Sequence, residues 1–429
     1  MVSLINGETI VFKFALIILN NSIICSKIKW IMDNRNSGKR ILIVHNRYQV
    51  RGGEDSVVEN EVNMLKEHGN HVFEYFRDNS EVENMGLFHK CLVPINSVFN
   101  IRTYNEIKRS ISENEIDLVH VHNTHFLISP SLFFAARACR VPVVMTVHNF
   151  RLTCVSAMLY RDGKVCEDCV GHGVWNGITH KCYRDSRLHS FILATSIIAN
   201  RMIGTYRNVY FICLSQFNKD KLLNIRGIKE NKVFIKPNFA KPLVQREESY
   251  AIEKDIYMFF GRIDKTKGIE LIISAFSRLP EKKIVIAGVG PLFERCKREI
   301  LDNGITNVQM IGWCDKSTLG QYLSRTKAVV CASQWYEGHP MTVVEAFASG
   351  VPVITGNIGN IGAAVTDGYN GVKYKFDSSE ALCEAIERFE NMDYTCLSQN
   401  AYSTYKELYT EECNYNMLMD IYEKMTNVR

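Results

Sequence analysis

Two series of short apolar runs, each run followed by a helical pattern, constrain this chain more than any other feature. The first series is ILIVHN from Ile41, HVFEYF from His71, IDLVHVHN from Ile116 and VPVVMTVHN from Val141. The second is YMFFGR from Tyr257, then KIVIAGVG, NVQMIGW, AVVCAS and VPVITG. These runs are nearly continuous in Val, Ile and Phe rather than alternating, as in strands covered on both faces. Helical spacing predicts helices over Ser56–His68, Ser131–Cys139, Ile269–Arg278, Leu292–Asn303, Lys316–Arg325 and Thr342–Ser349. Such alternation requires parallel sheets between helical layers, so the expected class is α/β. Two series predict two Rossmann-like, doubly wound domains facing across a cleft, over 39–240 and 241–410 and joined near KPNFAKPLVQREES. Residues 411–429 are expected to form a helix crossing back to the first domain.

In sheets of this kind ligands bind beyond the carboxyl ends of the strands. Polar or glycine-rich clusters fall just after strands at His45–Gly53, His120–His125, His148–Cys154, Gly261–Lys267 and Ser333–His339. A net charge of +5 gives no reason to expect nucleic acid, although a local basic face can meet anionic lipid. Of fourteen cysteines, most stand singly in apolar segments, as Cys139, Cys213 and Cys331 do, so a reducing cytoplasm is expected. Residues 1–38 form a separate extension of doubtful role. Its apolar run Ile10–Cys25 is broken by Lys13, Asn20, Asn21 and Ser22, and falls short of the ~20 clean residues of a membrane helix. Met32 is a natural beginning, so residues 1–31 read as an upstream extension or misassigned start, with a weak membrane anchor as the other reading.

EGHPMTVVEAFASGVPVI sets Glu337 and Glu345 eight positions apart around Pro340. Proline favours a helix starting at or just after it, which puts Glu337 in the preceding loop and Glu345 on an early turn. In GRIDKTKG, Arg262 and Lys267 leave a strand toward the same sheet edge. With the free N–H groups of a helix starting near Met341, they make a cationic pocket suited to a diphosphate.

The first of these segments resembles the glutamate–seven–glutamate signature of the retaining glycosyltransferases of family 4, which have the GT-B fold. GRIDKTKG resembles their phosphate-binding loop, and VRGGEDSVVENEVNMLKEHG their glycine-rich first loop. The resemblance implies transfer of a sugar from a UDP- or GDP-sugar to a glycan or lipid-linked acceptor in cell-surface polysaccharide synthesis (O-antigen, capsule or exopolysaccharide). It implies a cytoplasmic enzyme, peripheral on the inner membrane at most. Glu337 would meet the donor sugar's hydroxyls and Glu345 the ribose, with Gly338, Met341, Thr342 and Val343 completing the donor site. Arg262 and Lys267 would neutralise the leaving diphosphate, Gly52 and Gly53 would admit the phosphates closely, and His148 would contact the transferred sugar. Fixed cations aimed at developing charge stabilise the transition state. Asp-x-Asp occurs nowhere in the chain, so no catalytic metal is expected. One departure is that Ala363 or Ala364 stands where the family commonly has a glutamate.

Within 154–182, Cys154, Cys166, Cys169 and Cys182 fall in a loop-like insert, and a structural zinc is expected there, with His172 or His180 as substitutes. Unliganded cysteines or a disulfide are the other readings. His120, His122 and His125 have metal-like spacing, but with no carboxylate or cysteine nearby in sequence they read as a strand end lining the acceptor cleft. From Arg187 to Tyr206, Leu188, Phe191, Ile192, Thr195, Ile198, Ala199, Met202, Ile203 and Tyr206 recur at helical spacing. A core helix is the default; a membrane-interfacial helix is the other reading. Two further function classes are weighed: a Rossmann epimerase or oxidoreductase, for which Gly288-x-Gly290-x-x-Phe293 lacks the third glycine, and a non-catalytic sugar-nucleotide scaffold.

Overall fold

The computed structural model describes residues 38–48, 52–82, 96–125, 127–244 and 252–427, so the N-terminal extension with Ile10–Cys25 lies outside the described residues. In chain order the strands are β1 (Arg40–Arg47), β2 (His71–Asp78), β3 (Leu118–Asn123), β4 (Val143–Val147), the short pair β5 (Tyr160–Arg161) and β6 (Lys164–Val165), β7 (Tyr210–Cys213) and β8 (Val233–Ile235). There follow β9 (Ile256–Phe260), β10 (Ile284–Ala287), β11 (Val308–Gly312), β12 (Thr326–Cys331), β13 (Val353–Gly356) and β14 (Gly371–Tyr374). They pair into two parallel six-stranded sheets, ordered β2-β1-β3-β4-β7-β8 and β11-β10-β9-β12-β13-β14. Strands β7, β8 and β14 have only three or four residues and do not stand out by periodicity.

Strand β3 is buried along its whole length, as are β9 and β10, because helices cover both faces. One core layer of the first sheet joins Leu42, Val119 and Val121 to Ile107 and Leu132 of its helices. The opposite layer is completed from far along the chain. Helix Glu411–Thr426, capped by the Thr410 side chain, lays Leu418, Ile421, Tyr422 and Met425 against Ile41, Ile43 and Leu65. Each such side chain contributes about 1.5–3 kcal/mol on full burial.

Helix Arg187–Met202 differs from its expected orientation. Leu193, Ala194 and Ile197 face inward with Ser190, Ser196 and Asn200, while Leu188, Phe191 and Met202 point to solvent. The small polar residues win the inner face because their bonds close locally: Asn200 Nδ2 donates to Ser196 O, and Thr205 Oγ1 donates to Asn200 Oδ1. Of the apolar stripe read as core, Leu188, Phe191 and Met202 are therefore on the outside, whereas Ile192 and Ile198 are half-buried.

Candidate active site

Strand order reverses twice, between β1 and β3 in the first sheet and between β9 and β12 in the second. Crevices open beyond the carboxyl ends of strands at such reversals. The loops after those four strands are the ones that carry the motifs.

In the second lobe the loops after β9 and β12 are fastened together. Gly268 has φ 68°, a left-handed backbone, and a Cβ there would stand 2.0 Å from Ala332 O. Gln334 N donates to Thr266 O at 2.8 Å. This close approach brings Lys267 Nζ to 2.8 Å from Glu337 Oε1, and Ser333 Oγ donates to the same oxygen. Burial works against the Lys267 charge, but the Glu337 carboxylate overrides it and the ammonium titrates above its ordinary value. Arg262 does not join this pair. Its guanidinium is mostly exposed, with Nε 3.3 Å from Asp264 Oδ2. It lines a cavity of about 270 Å³ with Gly261, Ala287, Gly288, Val289, Trp313 and Leu319, beyond the ends of β9, β10 and β11.

Helix Met341–Ala348 starts directly after Pro340, and Thr342 Oγ1 donates to Phe260 O, which ties its first turn to β9. Val343 is buried in the lobe's core. Glu345 lies on the helix's second turn, half-buried. Burial raises its carboxyl to about 7, with Lys316 opposing, so it is poised to lose its proton near neutrality.

Tyr336 and Gly338, on either side of Glu337, join the lobes. The Tyr336 ring enters an aromatic box of the first lobe, 4.7 Å from the Phe217 ring and 6.5 Å from that of Phe150. Glu337 holds Lys267. A Cβ on Gly338 would lie 2.0 Å from His148 O, so only glycine lets the two loops meet. Asn218 Nδ2 and Asn360 Nδ2 both donate to Gly338 O, at 3.0 and 2.7 Å, and Ser215 Oγ donates to Asn360 Oδ1. None of Asn218, Asn360 and Ser215 carried a sequence signal; each is an ordinary polar residue near a helix start.

In the first lobe, a cavity of about 490 Å³ opens beyond β3 and β4, lined by Tyr48, His122, His148, Arg151, Leu152 and Ile192 among others. Gly52 precedes helix Gly53–Glu67, and a Cβ on either Gly52 or Gly53 would meet nothing within 4 Å. Neither glycine has a positive φ, so the protein itself does not require glycine there. The following Glu54 accepts from Tyr48 OH at 2.9 Å, and burial pushes its carboxyl up to about 8. His148 Nε2 lies 2.9 Å from His122 Nδ1. Burial, reinforced by His122, holds His148 well below the ordinary imidazole value, so it is neutral.

The carboxylate that sequence proximity did not supply to the histidines comes from Glu61, on helix Gly53–Glu67. Its Oε1 is 3.0 Å from His120 Nδ1 and 3.3 Å from His122 Nε2. Glu61, His120 and His122 form a group of three potential ligand atoms within 4.8 Å of one another, and the only such group among the described residues. Cys154, Cys166, Cys169 and Cys182 line one void of about 10 Å³ without converging in threes to that distance. Burial, then the neighbouring Cys154, raises the Cys169 thiol to about 11. Gly288 and Gly290 are packing residues: Cβ atoms there would stand 1.8 Å from Gly261 O and 2.3 Å from Ile263 O.

Residues 51–242 match the family described as Glycosyltransferase Family 4, and residues 244–406 the family described as Glycosyl transferases group 1. An uncharacterised glycosyltransferase of Methanocaldococcus jannaschii is 23% identical over 396 residues, covering 90% of this chain and 99% of the relative. An uncharacterised 41.2 kDa protein in the cps region of Klebsiella pneumoniae is 23% identical, covering 80% of this chain and 89% of its own. Among solved structures, Anabaena HepE in complex with UDP superposes with a TM-score of 0.62 at 14% identity, covering 90% of this chain and all of that one. Two lobes matched in series, with their sheets arranged as in the GT-B fold, make this chain a glycosyltransferase belonging to family 4.

Proposed function

We propose that the enzyme transfers a sugar, with retention of anomeric configuration, from a UDP-sugar to a glycan or lipid-linked acceptor in cell-surface polysaccharide synthesis. The observation that carries this reading is the Lys267–Glu337 pair beside Gly338, whose backbone meets His148 O where the lobes join. Lys267 and the N–H groups at Met341 and Thr342 would receive the diphosphate, with Arg262 at its edge in place of a metal. Glu337 and Gly338 would meet the transferred sugar and Glu345 the ribose. The cavity bordered by Trp313 would take the base, and Gly52 and Gly53 leave the open approach that phosphates need. The UDP bound by HepE and the cps location of the Klebsiella relative support donor and pathway class. Departure of a diphosphate concentrates negative charge on its oxygens, and preorganised cations there lower the barrier. Incubating the enzyme with a panel of UDP-sugars and lipid-diphosphate acceptors tests this: UDP release with an α-linked product from an α-donor is expected. Glu337→Gln should cut the rate about a hundredfold or more. An inverted product, or full rate in that variant, sinks the reading.

The acceptor cavity is mainly apolar, with Arg151 and Arg184 among its lining, which suits a phosphorylated lipid carrier. Beside it, Leu188, Phe191, Met202 and Ile203 are exposed on one helix flanked by Arg187 and Arg207. That surface supports peripheral contact of the enzyme with the cytoplasmic face of an anionic inner membrane. Among the described residues no helix is long and apolar enough to cross one.

A structural zinc held by Cys154, Cys166, Cys169 and Cys182 belongs to the same proposal. The shared void is about the size of a single ion or water, and metal binding would draw the sulfurs together and deprotonate them. Elemental analysis of purified enzyme should find about one zinc per chain; less than a tenth of that rules it out.

A further inference from the structure

The buried histidines behind His148 have no part in the function above. A cation between Glu61, His120 and His122 is disfavoured, because the chain already supplies one. Lys236 Nζ donates to Glu61 Oε2 at 3.0 Å and to Asn414 Oδ1 at 2.8 Å, and Lys236 is buried. Both ring nitrogens of His120 are partnered, Nδ1 by Tyr422 OH and Nε2 by Thr146 Oγ1, each at 2.7 Å. Burial would raise the Glu61 carboxyl, but Lys236 and His120 override it and keep it ionised. The cluster is a closed ion-paired network.

Within it, proton positions follow by elimination. His122 Nε2 and Glu61 Oε1 are 3.3 Å apart, too oblique for a full hydrogen bond but close enough that a lone pair on Nε2 would face a carboxylate. Nε2 therefore carries the hydrogen. Burial, with repulsion from His120, lowers His122 to about 3, so the ring is neutral and has only that one N–H. Its Nδ1 is bare, and the 2.9 Å contact must be donated by His148 Nε2–H. His148 is neutral too, so its Nδ1 is bare. That atom has no hydrogen-bond partner among the described residues and keeps access to the cavity that His148 lines.

We propose that Glu61 and His122 are positioning residues that fix the tautomer of His148, so that the cavity meets a ring nitrogen that accepts hydrogen bonds and cannot donate one. The consequence for specificity rests on the reading that His148 meets the donor sugar: the group set against it must then be a hydrogen-bond donor, a hydroxyl or an N–H, and a fluorine or carboxylate oxygen in its place is rejected.

Long-range proton–nitrogen correlation spectra of the ligand-free enzyme, labelled with ¹⁵N-histidine and assigned through the signals lost in His148→Gln, read the tautomer directly. Nε2–H is expected on both His148 and His122. Nδ1–H on His148 overturns the proposal. His122→Phe, which removes the acceptor while keeping the ring stack, should give His148 a mixture of tautomers; an unchanged His148 spectrum would remove His122 from the role. The wild-type spectrum decides the matter even if that variant does not fold. Because no ligand is present, the result is independent of the sugar contact, which is tested by His148→Phe: a fall of about tenfold or more in transfer from the best donor is expected. An unchanged rate there refutes the sugar contact and leaves the tautomer result standing.

Discussion

Glu345 shows how a single buried carboxyl turns position into pH dependence. Its raised pKa, about 7 through burial, means that the folded protein favours the neutral form. The associated stability is fully present at acid pH and is lost as pH rises through about 7. A ribose diol donating to Glu345 would favour the charged form instead. Affinity for UDP-glucose, whose diester phosphates do not titrate in this range, should therefore rise as pH passes about 7. In Glu345→Gln the rise through about 7 should be lost; titration calorimetry at a series of pH values checks both. At this scale the chain was half legible. Lys267 and Glu337 sit in loops whose glycine and proline punctuation is visible, so their meeting was readable. Glu61 and Lys236 meet across 175 positions from a helix face and a strand end, and no local pattern marks a residue chosen for a partner so distant.

Among elements, the loop Tyr336–Gly338 fixes how the lobes face each other. Alanine at 338 would put a carbon 2.0 Å from His148 O, and relief requires the loops to part by more than an ångström. Since misplacement of that size costs about a hundredfold in rate, Gly338→Ala should lose activity to that extent. Its melting temperature should change little, because the clash lies between lobes and not within either core. Enzyme kinetics and thermal unfolding measured side by side separate these effects. Long buried strands announced themselves through unbroken apolar runs, whereas the switch points followed only from the strand order. Helices Ile101–Glu113, Ser379–Glu390 and Tyr394–Leu408 went without individual prediction, because their apolar faces are narrow among many polar residues. The orientation of Arg187–Met202 could not be read from spacing alone: its buried serines and Asn200 took the inner face, and a hydrophobic stripe serves a water boundary as well as a core.

For the whole molecule, the helix that bears the exposed stripe also lines the apolar cavity, through His189, Ile192 and Leu193. Replacing Leu188 and Phe191 by serine should weaken sedimentation with vesicles containing anionic phospholipid about tenfold or more, while the transfer rate to a water-soluble acceptor is kept. Equal sedimentation of both proteins would leave the stripe without that role. The two-lobe architecture itself was legible from the repeated strand–helix series, whereas the network that locks the lobes had to await coordinates. Tyr422 reaches back 302 positions to His120 and helps seal the first sheet. During synthesis, then, the lobe that emerges first from the ribosome waits with an oily flank and a half-built polar cage until a much later segment arrives. Nascent chains halted before Glu411 should recruit chaperones and resist compaction, so the order of translation acts as a clock on when the buried histidines of the first lobe are set in place.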